Sequence, residues 1–208
     1  MTSSRRLISA VEPGNSANWS HNSKACIGNK MIIQGNKIKL RPMTVEEIPQ
    51  FFEWATQSDA TPYWYGELQR DQVPTFKEFL KDWKRSYFDG SAPEKGRCFM
   101  ILIDDKAIGQ VNYNEIDRRD NSVELDIIIP EDRYKNKGYG TDALQTLSKY
   151  LIFVMDIENC WIDVVYKNPR AIRAYQKAGF KITKTFIDTG IECLHLELKS
   201  LDLNPPIL

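Results

Sequence analysis

Histidines and paired cysteines are scarce in this chain. Its 208 residues include two histidines and four cysteines, and the cysteines are far apart in sequence. No CxxC pair or other metal-ligand spacing is present, which argues against a zinc site and against a disulfide framework. We therefore predict no metal ligands, and we interpret the cysteines as reduced thiols of a cytoplasmic protein.

The chain also lacks net charge and long apolar runs. Lys plus Arg and Asp plus Glu both total 28, whereas a general nucleic-acid binder carries an excess of basic residues. No apolar segment approaches the roughly 20 residues that a membrane-spanning helix needs. We expect no nucleic-acid partner and no membrane partner, although a balanced total still allows a local acidic pocket for a cation.

Patterning along the chain predicts one α/β domain with two short flanking regions. Residues 1–30 are rich in Ser and Asn without a sustained apolar period, which predicts a poorly ordered extension. Regular patterning begins at Met31 and continues to about residue 200 without an internal repeat or linker, so residues 31–200 are expected to form a single domain. Residues 201–208 carry two prolines and are expected to form a tail.

Alternating and helical periodicities predict the elements of this domain. Strands are expected at residues 37–41, 97–103, 107–116, 123–129, 160–165, 180–187 and 191–198. Helices are expected at residues 44–57, 75–88, 140–154 and 168–178. Residues 59–67 are interpreted as a loop that is dense in aromatic side chains and bounded by acids.

A glycine-containing turn follows the strand at residues 123–129 and opens a helix. Gly138 and Gly140 let a ligand approach the backbone closely, and the start of a helix exposes unpaired N–H groups and the positive end of its dipole. The turn therefore suits an anionic ligand. An ordinary helix start with turn glycines would show the same local pattern.

Two motifs, taken with the order of elements, carry a family resemblance. The first is the turn at residues 135–140, KNKGYG, and the second is NPRAIRAYQKAGF at residues 168–180. Through them the chain resembles the GCN5-related N-acetyltransferases (GNAT) over residues 37–199, although the family usually has Gln or Arg where Lys135 stands. The resemblance implies the GNAT fold, a mixed and mostly antiparallel sheet with a splayed strand and flanking helices.

Within that superfamily the chain looks most like the aminoglycoside 6′-N-acetyltransferases. Three short features carry this narrower resemblance: Leu125-Asp126 before the glycine motif, Lys137-Gly138 followed by Gly140-Thr141, and residues 63–66, YWYG, after the first helix. The resemblance implies acetyl transfer to the 6′-amine of an aminoglycoside antibiotic by direct attack of the amine on a thioester. Such a reaction would confer resistance.

The resemblance implies acetyl-CoA as the co-substrate. Its pyrophosphate is expected on the amides of the turn, contributed by Lys135, Asn136, Lys137, Gly138, Tyr139, Gly140 and Thr141. The pantetheine arm is expected beside Asn168, Ala171, Tyr175, Ile127, Ile128 and Ile129, with the Ile127 amide near the thioester carbonyl. Pro130 cannot donate to a ladder and is expected to end the pairing of the strand. The isoleucines can equally serve as core, and Asn168 as a helix cap.

Asp126 and Tyr175 are the candidate catalytic residues. Asp126 is an acid inside the otherwise apolar stretch LDIII, where it can accept a proton from the attacking amine or orient that amine. Tyr175 is a candidate general acid toward the leaving thiolate. The alternatives are a solvent-facing position for Asp126, since Glu124 shares its parity, and simple packing for Tyr175.

Acidic and aromatic residues are the candidate contacts to a polycationic acceptor, because carboxylates and aromatic faces both attract ammonium groups. These candidates are Asp59, Trp64, Tyr65, Glu67, Tyr113, Asp126 and Asp188. Two alternatives stay open: a transferase for another amine, such as a ribosomal-protein N-terminus or a siderophore precursor, and a non-catalytic acetyl-CoA-binding domain. The sequence also leaves open whether the protein is a monomer or a homodimer.

Overall fold

A computed structural model describes residues 31–65 and 73–203. The predicted extension at 1–30, Glu67 and most of the predicted tail lie outside these residues. Within the described ranges, no helix combines the length and the apolarity that crossing a membrane requires.

A single sheet of eight strands organises the described residues. The strands are β1 (Ile33–Gln34), β2 (Lys39–Pro42), β3 (Arg97–Ile103), β4 (Lys106–Tyr113), β5 (Ser122–Ile128), β6 (Asn159–Val165), β7 (Lys181–Asp188) and β8 (Ile191–Lys199). Their order across the sheet is β1-β2-β3-β4-β5-β6-β8-β7, and every neighbouring pair is antiparallel except β5 with β6. The predicted α/β class and mixed, mostly antiparallel sheet are confirmed.

Helices cover both faces of the sheet. They are α1 (Ile48–Gln57), α2 (Thr61–Tyr65), α3 (Phe76–Asp82), α4 (Ser86–Asp89), α5 (Tyr139–Val154) and α6 (Pro169–Lys177). One core lies beneath α5, which buries Leu144, Leu147 and Leu151 against the sheet. A second core lies on the opposite face beneath α1 and α3, around Phe51 and Phe79. On this second face, α1 and α3 cover strands β2–β4. The part of the face formed by β6 and β8 is not covered by these helices and carries polar side chains that line a cleft.

Three predicted boundaries are wrong. The loop predicted at 59–67 contains helix α2, whose Trp64 packs edge-on against Phe51 at 6.1 Å between ring centroids. The single helix predicted at 75–88 is two helices, because Trp83 leaves helical geometry (φ −101°, ψ 83°) to bury its ring in the second core. The strand predicted to reach residue 116 ends at Tyr113, since the amide of Ile116 donates to Glu94 instead of to a strand.

Strand β5 separates from β6 halfway along its length. The two strands pair only over residues 122–124 and 159–161, whereas β5 stays paired with β4 as far as Ile128. The predicted splay of this strand is confirmed, because pairing with β6 stops after Glu124, and no pairing of β5 reaches Pro130. Beyond that point β6 pairs with β8 alone, and a gap opens between β5 and β6.

Gly109 fixes the end of β5 by close approach. A Cβ at this position would lie 2.2 Å from the carbonyl oxygen of Ile128 and 3.2 Å from the Cα of Ile129. The distance to the carbonyl oxygen is sterically impossible for a Cβ. Only glycine therefore allows β4 to approach the end of β5 this closely. The pairing of β3 with β4 is irregular beside Gly109. Ile101 pairs with Gly109 and Leu102 with Ala107, so Ile108 is the extra residue of a β-bulge.

Candidate active site

Backbone groups of β5 face the gap between β5 and β6. The carbonyl of Glu124 accepts from the amide of Asn114 at 2.9 Å, so the backbone groups of Glu124 are turned toward β4. Because these groups alternate in direction along a strand, those of Leu125 and Ile127 point the other way, into the gap. The Ile127 amide therefore points into the gap, and its predicted contact with the thioester carbonyl stays a prediction.

The glycine turn adjoins this gap. Gly138 has a φ of 84°, which disfavours residues with a Cβ, and it caps α5 without any side-chain hydrogen bond to the helix. A Cβ on Gly140 would lie only 3.4 Å from Cδ1 of Ile129 and 3.6 Å from Cδ1 of Ile127. The helix therefore starts with amides that no side chain caps, next to the separated part of β5. This geometry fits a phosphate-bearing ligand whose arm continues along β5.

Helix α6 closes the other side of the gap. Asn168 is buried, and its Oδ1 accepts the amide of Ala171 at 3.1 Å, so the N-cap alternative describes its side chain. Thr141 donates to the carbonyl of Ala174 at 3.3 Å and joins α5 to α6. Asn168 and Ala171 both line the cleft, and their predicted contacts with the co-substrate stay predictions.

Tyr175 and Asp126 approach each other across the gap. Tyr175 is 9% exposed, and burial together with the nearby Asp126 carboxylate raises the pKa of its phenol well above the ordinary value. The phenol is thus protonated at neutral pH and can donate a hydrogen bond, although its raised pKa makes it a weaker acid than a free tyrosine. Asp126 is partly buried and accepts hydrogen bonds from the amide groups of Asn112 (3.2 Å) and Asn114 (2.9 Å).

The predicted acceptor contacts are only partly brought together. Trp64, Tyr65 and Asp188 line the same wide cleft as Asp126. Asp59 is exposed and does not itself line the cleft, although it lies beside Asp132, which pairs with the cleft residue Lys135. Glu67 falls outside the described residues.

The prediction for Tyr113 is wrong. Tyr113 pairs with Leu125, whose side chain lies in the core beneath α5, while Asp126 pairs with Asn112 on the opposite face. Because side chains alternate across a sheet, Tyr113 cannot reach the acceptor. It is 1% exposed, and burial raises its pKa well above the ordinary value.

A polar cluster on β6 and β8 escaped the sequence reasoning. Asp163, His195 and Glu197 face the cleft beside Trp161, whose ring centroid lies 5.1 Å from that of His195. Nδ1 of His195 lies 2.5 Å from the Asp163 carboxylate, and Nε2 lies 3.5 Å from that of Glu197. Asp163 interrupts the apolar stretch CWIDVV as Asp126 interrupts LDIII, and that shared signal could have identified it.

We predict a stability signature for the His195–Asp163 pair. The hydrogen bond that His195 donates to the Asp163 carboxylate raises the pKa of His195 above its ordinary value. The imidazolium–carboxylate pair should thus add stability that is full below the unfolded pKa of about 6.5 and is lost as pH rises through the folded pKa. Urea unfolding from pH 5.5 to 9 should show His195→Gln most destabilised, relative to the unsubstituted protein, at the acidic end. A deficit that grows with pH would contradict this prediction.

Comparison with known proteins agrees with this geometry. Residues 37–181 match the family model described as the acetyltransferase (GNAT) domain. Spermidine N(1)-acetyltransferase of Escherichia coli K12 is 26% identical over 147 residues, which cover 71% of this chain and 74% of that protein. Aminoglycoside N(6′)-acetyltransferase type 1 of Klebsiella pneumoniae is 25% identical over 156 residues, covering 70% of this chain and 75% of that protein.

Solved structures show the same fold. AAC(6')-Ib in complex with ribostamycin and coenzyme A superposes with a TM-score of 0.67 at 21% identity, covering 80% of this chain and 96% of that chain. Spermidine N-acetyltransferase from Vibrio cholerae in complex with CoA and spermine gives a TM-score of 0.65 at 18% identity, covering 80% and 97%. Acetyl-CoA, the co-substrate predicted from the sequence, is the acetyl donor of this family. The chain is a member of the GNAT acetyltransferase family.

Proposed function

We propose that this protein transfers the acetyl group of acetyl-CoA to the 6′-amine of an aminoglycoside. The observation that carries the proposal is the position of Asp126. Its carboxylate stands where β5 leaves β6, near the phenol of Tyr175 and one residue from the Ile127 amide that faces the gap. A proton acceptor, a proton donor and a backbone donor therefore meet at one end of a cleft that is open to solvent.

The donor side of this site is built mainly from backbone. The amides at the start of α5 would hold the pyrophosphate, since no side chain caps them. The Leu125 and Ile127 backbone groups would pair with the pantetheine arm as a further strand would pair with β5. Bound acetyl-CoA supplies an activated acyl group, and the protein orients that group in the gap.

Three groups would then share the chemistry. Asp126 would take the proton that the amine must lose, either directly or through one water molecule. The Ile127 N–H would stabilise negative charge that develops on the carbonyl oxygen. The phenol of Tyr175 would donate a hydrogen bond to the departing sulfur, and its raised pKa means that the thiolate need not take the proton fully.

The acceptor side favours a compact polycation. Four carboxylates lie along the open face of the sheet, those of Glu124, Asp126, Asp163 and Glu197, and all four line the cleft. Trp64 and Tyr65 from α2 stand at the other wall. Several ammonium groups on one rigid acceptor can meet several of these carboxylates at once, and aromatic faces attract the same groups.

A second candidate acceptor is a linear polyamine. The same row of carboxylates would suit evenly spaced ammonium groups, and spermidine acetyltransferases are as similar to this chain as aminoglycoside acetyltransferases are. The two acceptors differ in shape, because a polyamine does not need the aromatic wall of α2. Trp64→Ala should therefore weaken aminoglycoside binding more than polyamine binding.

Steady-state acetyl transfer distinguishes these candidates. Acetyl-CoA turnover should be measured with kanamycin-type aminoglycosides that carry a 6′-amine, with matched compounds that carry a 6′-hydroxyl, and with spermidine and spermine. We expect turnover only with the 6′-amines, with mass spectrometry locating the acetyl group. Turnover with the polyamines alone would replace the first proposal with the second. No turnover with any of these amines would reject both and leave a different amine acceptor or a non-catalytic role.

A further inference from the structure

A series of three hydrogen-bonded amide side chains ends on the Asp126 carboxylate. Gln110, Asn112 and Asn114 occupy alternate positions along β4 and the residue that follows it, so they share the face that carries Asp126. Gln110 and Asn112 are fully buried. Asparagine is depleted in strands, and burying a carboxamide is unfavourable unless its hydrogen bonds are made. A strand at this depth would ordinarily carry apolar side chains here.

The hydrogen bonds within this series all run in one direction, from Gln110 toward Asp126. Nε2 of Gln110 donates to Oδ1 of Asn112 at 3.1 Å, and Nδ2 of Asn112 donates to Oδ1 of Asn114 at 3.0 Å. The amide oxygens of Asn112 and Asn114 each accept from the amide before them, so the nitrogens of these two residues are turned toward the next group. The amide oxygen of Gln110 is buried and has no hydrogen-bond partner among the described residues. At the end of the series, Nδ2 of Asn112 and Nδ2 of Asn114 both donate to Oδ2 of Asp126.

Two further contacts fix the last amide. The hydroxyl of Tyr87 donates to Oδ1 of Asn114 at 3.4 Å, which adds a second donor to that oxygen. Nδ2 of Asn114 also reaches Oε2 of Glu124 at 3.0 Å. Asn114 therefore joins the carboxylates of Glu124 and Asp126, and it cannot flip its amide without opposing oxygen to oxygen.

We propose that Gln110, Asn112 and Asn114 are positioning residues that hold the Asp126 carboxylate in one orientation for the attacking amine. This inference rests on the proposed role of Asp126. A carboxylate on a flexible side chain samples several rotamers, and two donors converging on one oxygen select one of them. The carboxylate itself sets the direction of the series, because it only accepts hydrogen bonds and so turns the nitrogens of Asn112 and Asn114 toward it, while Gln110 holds the oxygen of Asn112.

Replacing the amides by leucine tests the inference, since leucine has a similar shape and no hydrogen bonds. Asn112→Leu and Asn114→Leu should each lower kcat for acetyl transfer by about ten- to a hundredfold, the range expected when a catalytic group is misplaced by about 1 Å. KM for acetyl-CoA should not change. Gln50→Leu on the exposed surface of α1 is the matched control and should behave as the unsubstituted protein.

A double-mutant cycle separates positioning from structural support. If the amides act through Asp126, then adding Asn114→Leu to Asp126→Ala should cause no further loss of kcat. Full activity of both leucine variants would overturn the inference. An equal loss with and without Asp126 would also overturn it, because the amides would then act elsewhere.

A crystal structure of Asn114→Leu gives a readout that needs no substrate. The Asp126 carboxylate should leave the position that it holds in the unsubstituted protein. A carboxylate that stays in place would contradict the inference, whether or not the protein acetylates an amine. If the unsubstituted protein acetylates none of the amines tested, or if Asp126→Ala is fully active, the proposed function fails and this structural comparison alone decides the inference.

Discussion

Asp126→Ala is expected to lower kcat for acetyl transfer by about 10²–10⁴-fold, the usual contribution of a general base. The reason is that the acceptor amine is protonated at neutral pH and must lose a proton before or during attack. Asp126 lies on β5 between the gap-facing residues Leu125 and Ile127, and its carboxylate acts electrostatically on the phenol of Tyr175. Steady-state rates with saturating acetyl-CoA, measured against amine concentration, give the result directly.

Two comparisons make this prediction specific. Asp105→Ala removes a carboxylate from an exposed turn, where Asp105 lies 3.5 Å from Lys39, and should leave kcat unchanged. Asp126→Asn keeps the size of the side chain but removes the base, so it should resemble Asp126→Ala. If Asp126→Asn is as active as the unsubstituted protein, the carboxylate orients the amine and does not accept its proton.

Asp142→Ala is expected to cause the largest loss of stability. Asp142 on α5 is 5% exposed, and its carboxylate accepts the backbone amides of Asn36 (3.1 Å), Lys37 (2.6 Å) and Ile38 (3.1 Å). Its removal leaves three donors unsatisfied at the turn between β1 and β2. We expect a loss of about 3–5 kcal/mol in the free energy of unfolding, from about 1–3 kcal/mol for each such group with partial relief by water. Urea unfolding at pH 7 measures it.

The same change should also weaken acetyl-CoA binding. Nζ of Lys37 donates to the carbonyl of Lys137 at 3.1 Å, so the turn that Asp142 holds also supports the glycine turn before α5. Glu53→Ala is the control here, because it removes an exposed carboxylate from α1, where alanine fits the helical backbone. A loss below about 1 kcal/mol, the usual worth of one neutral hydrogen bond, would show that water replaces the carboxylate without penalty.

Local sequence patterns predicted the secondary structure well where the geometry of an element depends only on residues within that element. Strand β5 and helix α5 were placed within one residue of their observed starts, since apolar periodicity and the glycine turn act locally. The break at Trp83 was not predictable in this way. The ring of Trp83 packs against Phe51 of α1, which is distant in sequence, as well as against its near neighbours Phe79 and Tyr87.

At the site, some side-chain roles were visible in the sequence and others depended on strand register. Asp126 and Asp163 both interrupt apolar strands, a signal that is visible in sequence. Which face each side chain occupies depends on register, and register placed Tyr113 in the core and Asn112 beside Asp126. A shift of one residue in pairing would have exchanged them.

The sequence by itself determined the α/β class, the glycine turn at the start of α5 and the two motifs that indicate the GNAT family. These features depend on periodicity, on backbone freedom at Gly138 and on residues that are contiguous in the chain. Only the tertiary structure decided where β5 leaves β6, which groups converge on Asp126 and which carboxylates share the open face. Those features depend on strand register and on contacts between residues far apart in sequence, which no local pattern contains.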